Sequence, residues 1–301
     1  MEHEISYTII IPHKNIPNLL QRCLDSIPQR EDIQTIVVDD NSDLDKVNFE
    51  TFPGLTKPYT EIIFTKESKG AGYVKNIGLK KAKGKWLLIA DADDFFAENF
   101  LAYLDKYKNS DYDLVYFGIY RISKKKGDNI DPYYDNLMKN AIQYQKYDDY
   151  KYRDPNSWGK MMRLSSIMEN HITFDETRVA TDRMFSIKNA FYAKKIFFDE
   201  HRIYTYNIEQ RPGSLTTIQT PEANFDRFYV YVRMNRFFED ISQDKYKINL
   251  LSTLLKLVDT QNMEYFNKGI KLFKENNFCF FSELFKFCWI LPKKILDKLT
   301  R

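Results

Sequence analysis

The chain has 301 residues and a mass of 36.0 kDa, of which 43% are hydrophobic, 16% aromatic and 29% charged. That apolar share is enough for a packed core and excludes wholesale disorder, and ten Gly with ten Pro exclude collagen-like and low-complexity classes. Forty-five Lys+Arg against 42 Asp+Glu leave a net charge of +3, too small a bias for a nucleic-acid partner.

Tyr7 to Ile11 reads as a short buried strand ending at Pro12, and it is too short for the core of a secretory signal. A helix over Asn18 to Ile27 follows, with Leu19, Leu20, Cys23, Leu24 and Ile27 at helical spacing. Thr35 to Val38 is a second strand, closed by Asp39, Asp40, Asn41 and Ser42, and Glu61 to Thr65 is a third. Gly72 to Ala82 is helical. Trp86 to Ala90 is a fourth strand that runs into Asp91 to Asp94, and Leu114 to Ile119 is a fifth.

Uninterrupted apolar runs alternating with helices predict an α/β fold, a mostly parallel sheet with helices on both faces. Ligands in such sheets sit beyond the carboxyl ends of the strands. Two of these strands end in acidic clusters. The polar, Tyr-rich stretch 123–157 reads as a surface excursion, and 182–194 as a helix capped by Thr181. Tyr204 to Tyr206 is one more strand, and from Pro221 onward only helical patterns remain.

Asp91 and Asp93 follow directly on the fourth strand. In an extended chain they would project together, about 7 Å apart. A hard divalent cation held by one or two carboxylates, with a diphosphate completing its shell, is one reading. Helix capping, for which Asp94 is placed, is the other. Asp39 and Asp40 admit a similar pair of readings, a ribose or base contact or a simple Asx turn.

The segments 9–15 (IIIPHKN), 36–43 (IVVDDNSD), 70–94 (GAGYVKNIGLKKAKGKWLLIADADD) and 180–185 (ATDRMF) together resemble the family 2 glycosyltransferases. The resemblance covers about residues 5–215. It implies a GT-A type domain, placed at 1–215, and inverting, nucleotide-sugar-dependent transfer with Mn²⁺ or Mg²⁺; the helical patterns after it make 216–301 an all-helical extension. Carried over by position, it puts Pro12, Asp39, Asp40, Lys75, Asp91 and Arg211 on the nucleotide-sugar, and Asp91 with Asp93 on the metal. Asp182 becomes the general base, and Trp158 a platform for the acceptor. Lys75 stands where the family commonly has Arg, and Thr181 where it usually has Glu.

The implied partners are a nucleotide-sugar donor, UDP-linked by preference, and a glycan or lipid-linked acceptor in surface polysaccharide synthesis. A metal-dependent nucleotide-sugar hydrolase and a catalytically weak nucleotide-sugar binding protein are the alternatives. Residues Gln243 to Arg301 hold 11 Lys+Arg against 6 Asp+Glu, and Phe278 to Leu291 is densely aromatic. A helix lying on an anionic bilayer fits this pattern, as does a helix packed on the catalytic domain or on a second subunit of a homo-oligomer. Cys23, Cys279 and Cys288 have no ligand-like spacing and leave an odd one over, so a reducing, cytoplasmic setting is expected, peripheral to the inner face of the membrane if the tail binds lipid.

Overall fold

The computed structural model describes residues 4–123, 127–208, 218–258 and 263–278. The chain divides into two compact units, Met1–Thr177 with Thr181–Arg211, and Arg178–Ala180 with Pro212–Arg301.

The first unit is built on one sheet. Strands β1 (Tyr7–His13), β2 (Ile33–Asp39), β3 (Thr60–Phe64) and β4 (Trp86–Ile89) are mutually parallel in the order β3-β2-β1-β4. The sheet continues through β8 (Lys160–Arg163), β6 (Leu114–Ser123), β9 (Ile196–Asn207) and the short β5 (Phe95–Phe96), with β7 (Gly127–Ile130) paired to β6. This second half is mixed: β8 is antiparallel to both neighbours, whereas β6 and β9 run parallel. The expected mostly parallel sheet is therefore found: β6 and β9 run in the direction of the first four strands, and β8 and β5 run against them.

Period-two alternation packs both faces. Ile9, Ile11, Trp86, Leu88, Phe117 and Tyr204 go to one core. Ile10, Leu87, Ile89, Tyr116 and Met162 go to the other. Helix α1 (Pro17–Asp25) buries Leu20, Cys23 and Leu24 against the first core, and α3 (Phe100–Asp105) buries Phe100 and Leu104 there. Helix α2 (Ala71–Lys81) lies over β1 and β2.

The polar stretch after 123 is not a loop excursion. It forms α4 (Pro132–Tyr144) and α5 (Tyr147–Arg153). Asp131 caps α4 by accepting from Tyr133 N, and Pro132 occupies its first turn, a helix-start signature that the Tyr-rich composition hides. Leu137, Met138 and Ala141 form its buried stripe. Strand β9 is also longer than its apolar residues suggest, because Asp199, Glu200, His201 and Arg202 interrupt the pattern while the backbone ladder to β6 continues past a register shift at Gly118. Two short helices complete the unit, α6 (Leu164–Glu169) and α7 (Arg183–Tyr192).

The second unit, as far as it is described, is helical: α8 (Pro221–Asp240), α9 (Leu250–Leu254) and α10 (Glu264–Glu275) enclose Phe228, Val232, Leu250, Leu254, Leu257 and Phe273. Thr220 caps α8 through Ala223 N, with Pro221 in its first turn. Among the described residues no helix is long and apolar enough to cross a membrane. The aromatic tail from 279 onward, with Cys279 and Cys288, lies outside the described residues, as does Arg211.

Candidate active site

Parallel pairing puts the carboxyl ends of β1, β2, β3 and β4 on one rim. The segment Lys75-Asn76-Ile77-Gly78 of α2 shows how that rim is furnished. A Cβ on Gly78 would stand 2.6 Å from Ile10 Cγ2, so only glycine lets α2 sit this close to β1. Asn76 brackets the backbone of Phe174: its Nδ2 donates to Phe174 O (3.1 Å) and its Oδ1 accepts from Phe174 N (2.9 Å). Gly72 makes room for the same returning segment, since a Cβ there would fall 1.9 Å from Asp175 O. Asn76 and Gly72 thereby hold Phe174 and Asp175 against α2.

The consequence is an ion cluster. Lys75 Nζ, on a side chain only 3% exposed, lies 2.9 Å from Asp182 Oδ1, 3.1 Å from Asp182 Oδ2 and 3.4 Å from Asp91 Oδ1. Burial alone would lower the lysine's pKa, but Asp182 and Asp91 outweigh it and raise the pKa above its ordinary value. Asp182 occupies the N-cap position of α7, taking the place expected for Thr181, yet its carboxylate makes no capping hydrogen bond. It is instead turned toward Lys75 and accepts further hydrogen bonds from Ser157 Oγ (3.0 Å) and Thr181 Oγ1 (3.0 Å). The threonine found where an acid was expected thus becomes a donor that orients the neighbouring carboxylate.

Asp91 to Asp94 do not continue β4. Asp94 N donates to Asp91 O, folding the four residues into a turn, so the extended spacing read from the sequence does not apply. Asp94, 1% exposed, accepts from Tyr204 Oη (2.7 Å) and Asn207 N (2.8 Å) and caps no helix. Tyr204 Oη also accepts from Asp91 N, and Arg22 Nη2 donates to Asp93 O, so the turn is braced from β9 and α1. The Asp91 carboxyl is raised to about 6, first by burial and then by Asp182 and Asp93, which together outweigh Lys75. Asp94 is also raised well above the ordinary carboxylate range, by burial and by Asp91 and Asp93.

Asp39 and Asp40 have separate fates. Asp39 is fully buried, and both of its oxygens are engaged: Oδ1 by His13 Nδ1 (2.7 Å) and Ser42 Oγ (2.6 Å), Oδ2 by Ser42 N (2.8 Å). Ile16 N donates to His13 Nε2, which leaves Nδ1–H to donate to Asp39. Burial works against the charge of Asp39, but these hydrogen bonds hold its carboxyl below the usual range. This is a brace between β1 and β2, without the free face that contact with a base or ribose requires. Asp40 is also buried, at 4% exposed, but is less fully engaged. Its Oδ2 accepts from Gly70 N and lies 3.4 Å from Lys14 Nζ, while its Oδ1 is buried with no hydrogen-bond partner. Pro12 lies half-buried next to this pair in β1.

Trp158 is 5% exposed and stacks on Tyr204 (5.3 Å) and Tyr206 (5.2 Å) in the main core. It has no free face for a sugar, and the acceptor-platform reading of this residue is corrected accordingly. Its neighbour Ser157, which donates to Asp182, and Tyr204, which donates to Asp94, are contacts of the acidic groups that sequence reasoning missed. No local signal marks either, because their partners lie 25 and 110 residues away.

Among the described residues no cluster of three or more His, Cys, Asp or Glu could hold a metal ion by itself. The donor set at the turn, Asp91 and Asp93, is one of hard oxygens. Such a set fits Mg²⁺ or Mn²⁺ when phosphate oxygens complete the shell.

Residues 8–170 match the glycosyl transferase family 2 profile. The poly(ribitol-phosphate) beta-glucosyltransferase of Bacillus spizizenii is 28% identical over 230 residues, 72% of this chain and 34% of that protein. Glycosyltransferase GlyA of Streptococcus pneumoniae is 24% identical over 231 residues, 71% of this chain and 32% of that one. The chain spans about a third of the length of these two relatives. Among solved structures, Staphylococcus aureus TarS 1–349 in complex with UDP-GlcNAc superposes with a TM-score of 0.62 at 18% identity, covering 86% of this chain and 75% of that one. The mannosyltransferase PcManGT of Pyrobaculum calidifontis, in complex with GDP-Man and Mn²⁺, gives 0.57 at 16% identity, covering 96% and 81%. These structures share the GT-A-like α/β fold. With the family profile spanning more than half of its residues, this chain belongs to glycosyl transferase family 2.

Proposed function

We propose that the protein transfers a sugar from a nucleoside diphosphate donor, UDP-linked by preference, to a hydroxyl of a glycan or lipid-linked glycan in surface polysaccharide synthesis, with inversion at the anomeric carbon. The observation that carries this reading is the Asp182 carboxylate, held by Lys75, Ser157 and Thr181 and aimed away from its own helix. A carboxylate oriented by three donors and recessed beside a second acidic group is suited to taking a proton in a fixed direction.

The acceptor hydroxyl gives its proton to Asp182 as its oxygen attacks the anomeric carbon. The bond from that carbon to the diphosphate breaks on the opposite side, and its electron pair leaves with the diphosphate. Lys75 straddles both acids, so a shift of Nζ toward Asp91 frees a lone pair of Asp182 for the incoming proton and brings positive charge toward the leaving group. Asp40, with a buried oxygen in want of a donor, is suited to an N–H or O–H of the nucleoside. Asp91 and Asp93 would hold a divalent cation, whose chemistry is to neutralise the charge that develops on the diphosphate.

A thermal-shift panel of UDP, GDP and their sugars, with and without Mn²⁺, tests the reading, because a ligand that binds only the folded form raises its melting temperature. A shift with uridine nucleotides that grows with Mn²⁺ is expected. No shift with any nucleotide overturns the proposal, and release of free sugar from the donor without an acceptor replaces it with hydrolysis.

A further inference from the structure

A concavity opens at Phe95, the residue that follows the acidic turn. It encloses about 1230 Å³ between α4, the paired strands β6 and β9, and the segment from Phe95 to Tyr103. This exceeds the size usual for a single small-molecule pocket. None of the groups placed at the reaction centre lines it.

Its walls combine flat rings with polar groups of both signs. Tyr103 and His201 stack at 4.2 Å with planes 28° apart, so the pair presents one outer ring face, that of the exposed His201, to the groove. Tyr120 is 41% exposed, and the Arg202 guanidinium sits over its ring at 5.6 Å. Arg202 Nη2 is paired with Asp135 (2.9 Å), but its Nε is buried without any hydrogen-bond partner. A buried donor left unmade costs free energy, and an acceptor atom of a ligand would relieve it. Glycine at 118 keeps the floor low: a Cβ there would stand 2.6 Å from Glu200 O and 2.9 Å from Arg202 Cγ.

The charges decide between ligand classes. Glu98, Asp135 and Glu200 line the groove together with Lys139 and Arg202, so cations do not outnumber acids. A polyphosphate-linked polymer would be repelled by the acids. Neutral sugar rings present apolar faces to aromatic walls, and hydroxyls that both donate and accept.

We propose that this groove binds a run of neutral sugar residues in the acceptor glycan, holding the chain at a distance from the hydroxyl that reacts. The proposal rests on the glycosyl-transfer reading above. It assigns Tyr120 and Arg202 to chain binding, and a second point of attachment raises the effective concentration of the acceptor end at the reaction centre.

The test is binding of the full chain to an array of immobilised maltotetraose, cellotetraose and chitotetraose, with ribitol-phosphate and glycerol-phosphate oligomers alongside. Retention of at least one neutral tetrasaccharide is expected. Tyr120→Ala, at an exposed ring, and Asn136→Trp, which puts an indole into the groove, should each weaken it about tenfold. Both variants should keep the wild-type melting temperature and the wild-type thermal shift with nucleotides. Binding that survives both variants, binding to the polyol phosphates alone, or no binding to any oligomer overturns the groove assignment. The nucleotide shift, read on the same samples, reports separately on the transfer reading.

Discussion

Lys75 Nζ lies 2.9 Å from Asp182 and 3.4 Å from Asp91, so one buried ammonium ties the start of α7 to the end of β4. Removing it leaves two recessed carboxylates facing each other with no cation between them. Lys75→Met should cost about 3 kcal/mol or more of stability, the scale for breaking a buried ion pair on one side. Urea denaturation of the variant against wild type measures this, and an unchanged midpoint would show that the cluster contributes nothing to folding.

Asp182→Asn keeps the shape of the side chain and its contacts with Ser157, but cannot accept the acceptor's proton. Turnover should fall by about 10²- to 10⁴-fold while donor affinity stays within a factor of a few. Transfer assays paired with calorimetric donor binding separate the two quantities. Turnover near wild type would place the base on another residue.

Asp93→Ala removes one of the two oxygen donors proposed for the cation. The nucleotide-induced thermal shift should lose its dependence on Mn²⁺, and any remaining shift should be the same with a chelator present. A shift that still grows with Mn²⁺ would remove Asp93 from the ligand set.

Gly72→Ala forces a Cβ into the Asp175 carbonyl, 1.9 Å away, and the side chain of Thr181 is the next obstacle at 3.3 Å. Backbone must move, because neither obstacle is the end of a flexible chain. The segment that delivers Asp182 to Lys75 should shift, lowering turnover at least about tenfold and stability by about 1–3 kcal/mol. Wild-type activity in this variant would contradict the close approach.

Asp32 sets a pH dependence at the other end of β2. It accepts from Arg30 Nε (2.5 Å) and Lys108 Nζ (2.7 Å). Burial favours its neutral form, but these bonds outweigh burial and hold its carboxyl below the ordinary carboxylate range. A depressed folded-state pKa gives stability that is fully present above the unfolded value, about 3.9, and lost as pH falls through the lower folded value. Wild type should therefore lose stability steeply below about pH 4, and Asp32→Asn should show a flatter acid limb. Parallel acid limbs in chemical denaturation would exclude this residue as a contributor.

Much of the first four strands is legible because each is a short run of Ile, Val and Leu bounded by a turn signal, and burial on both faces demands that composition. The acidic ends of β2 and β4 are legible for the same reason, since the rim follows from parallel pairing. Residues 123–157 are harder to read. Helix α4 draws its buried stripe from only Leu137, Met138 and Ala141 within a polar, Tyr-rich segment, and β9 crosses four polar residues, of which Asp199 and Arg202 pair with β6 on either side of a register shift. Local composition is silent where the stabilising partner is distant.

The order of residues by itself determined the strand–helix alternation, the acidic ends of β2 and β4, and the spacing of Lys75, Asn76 and Gly78 along one helix. Those features follow from backbone periodicity and local propensity. Tertiary structure alone decided the division of labour: Asp39 became an internal brace while Asp40 kept an unpartnered oxygen, Trp158 entered the core, and Ser157, Thr181 and Lys75 converged on Asp182. The physical reason is that a carboxylate's role depends on which donors reach its oxygens. Those donors come from chain segments up to 107 residues away, brought near by packing rather than by sequence.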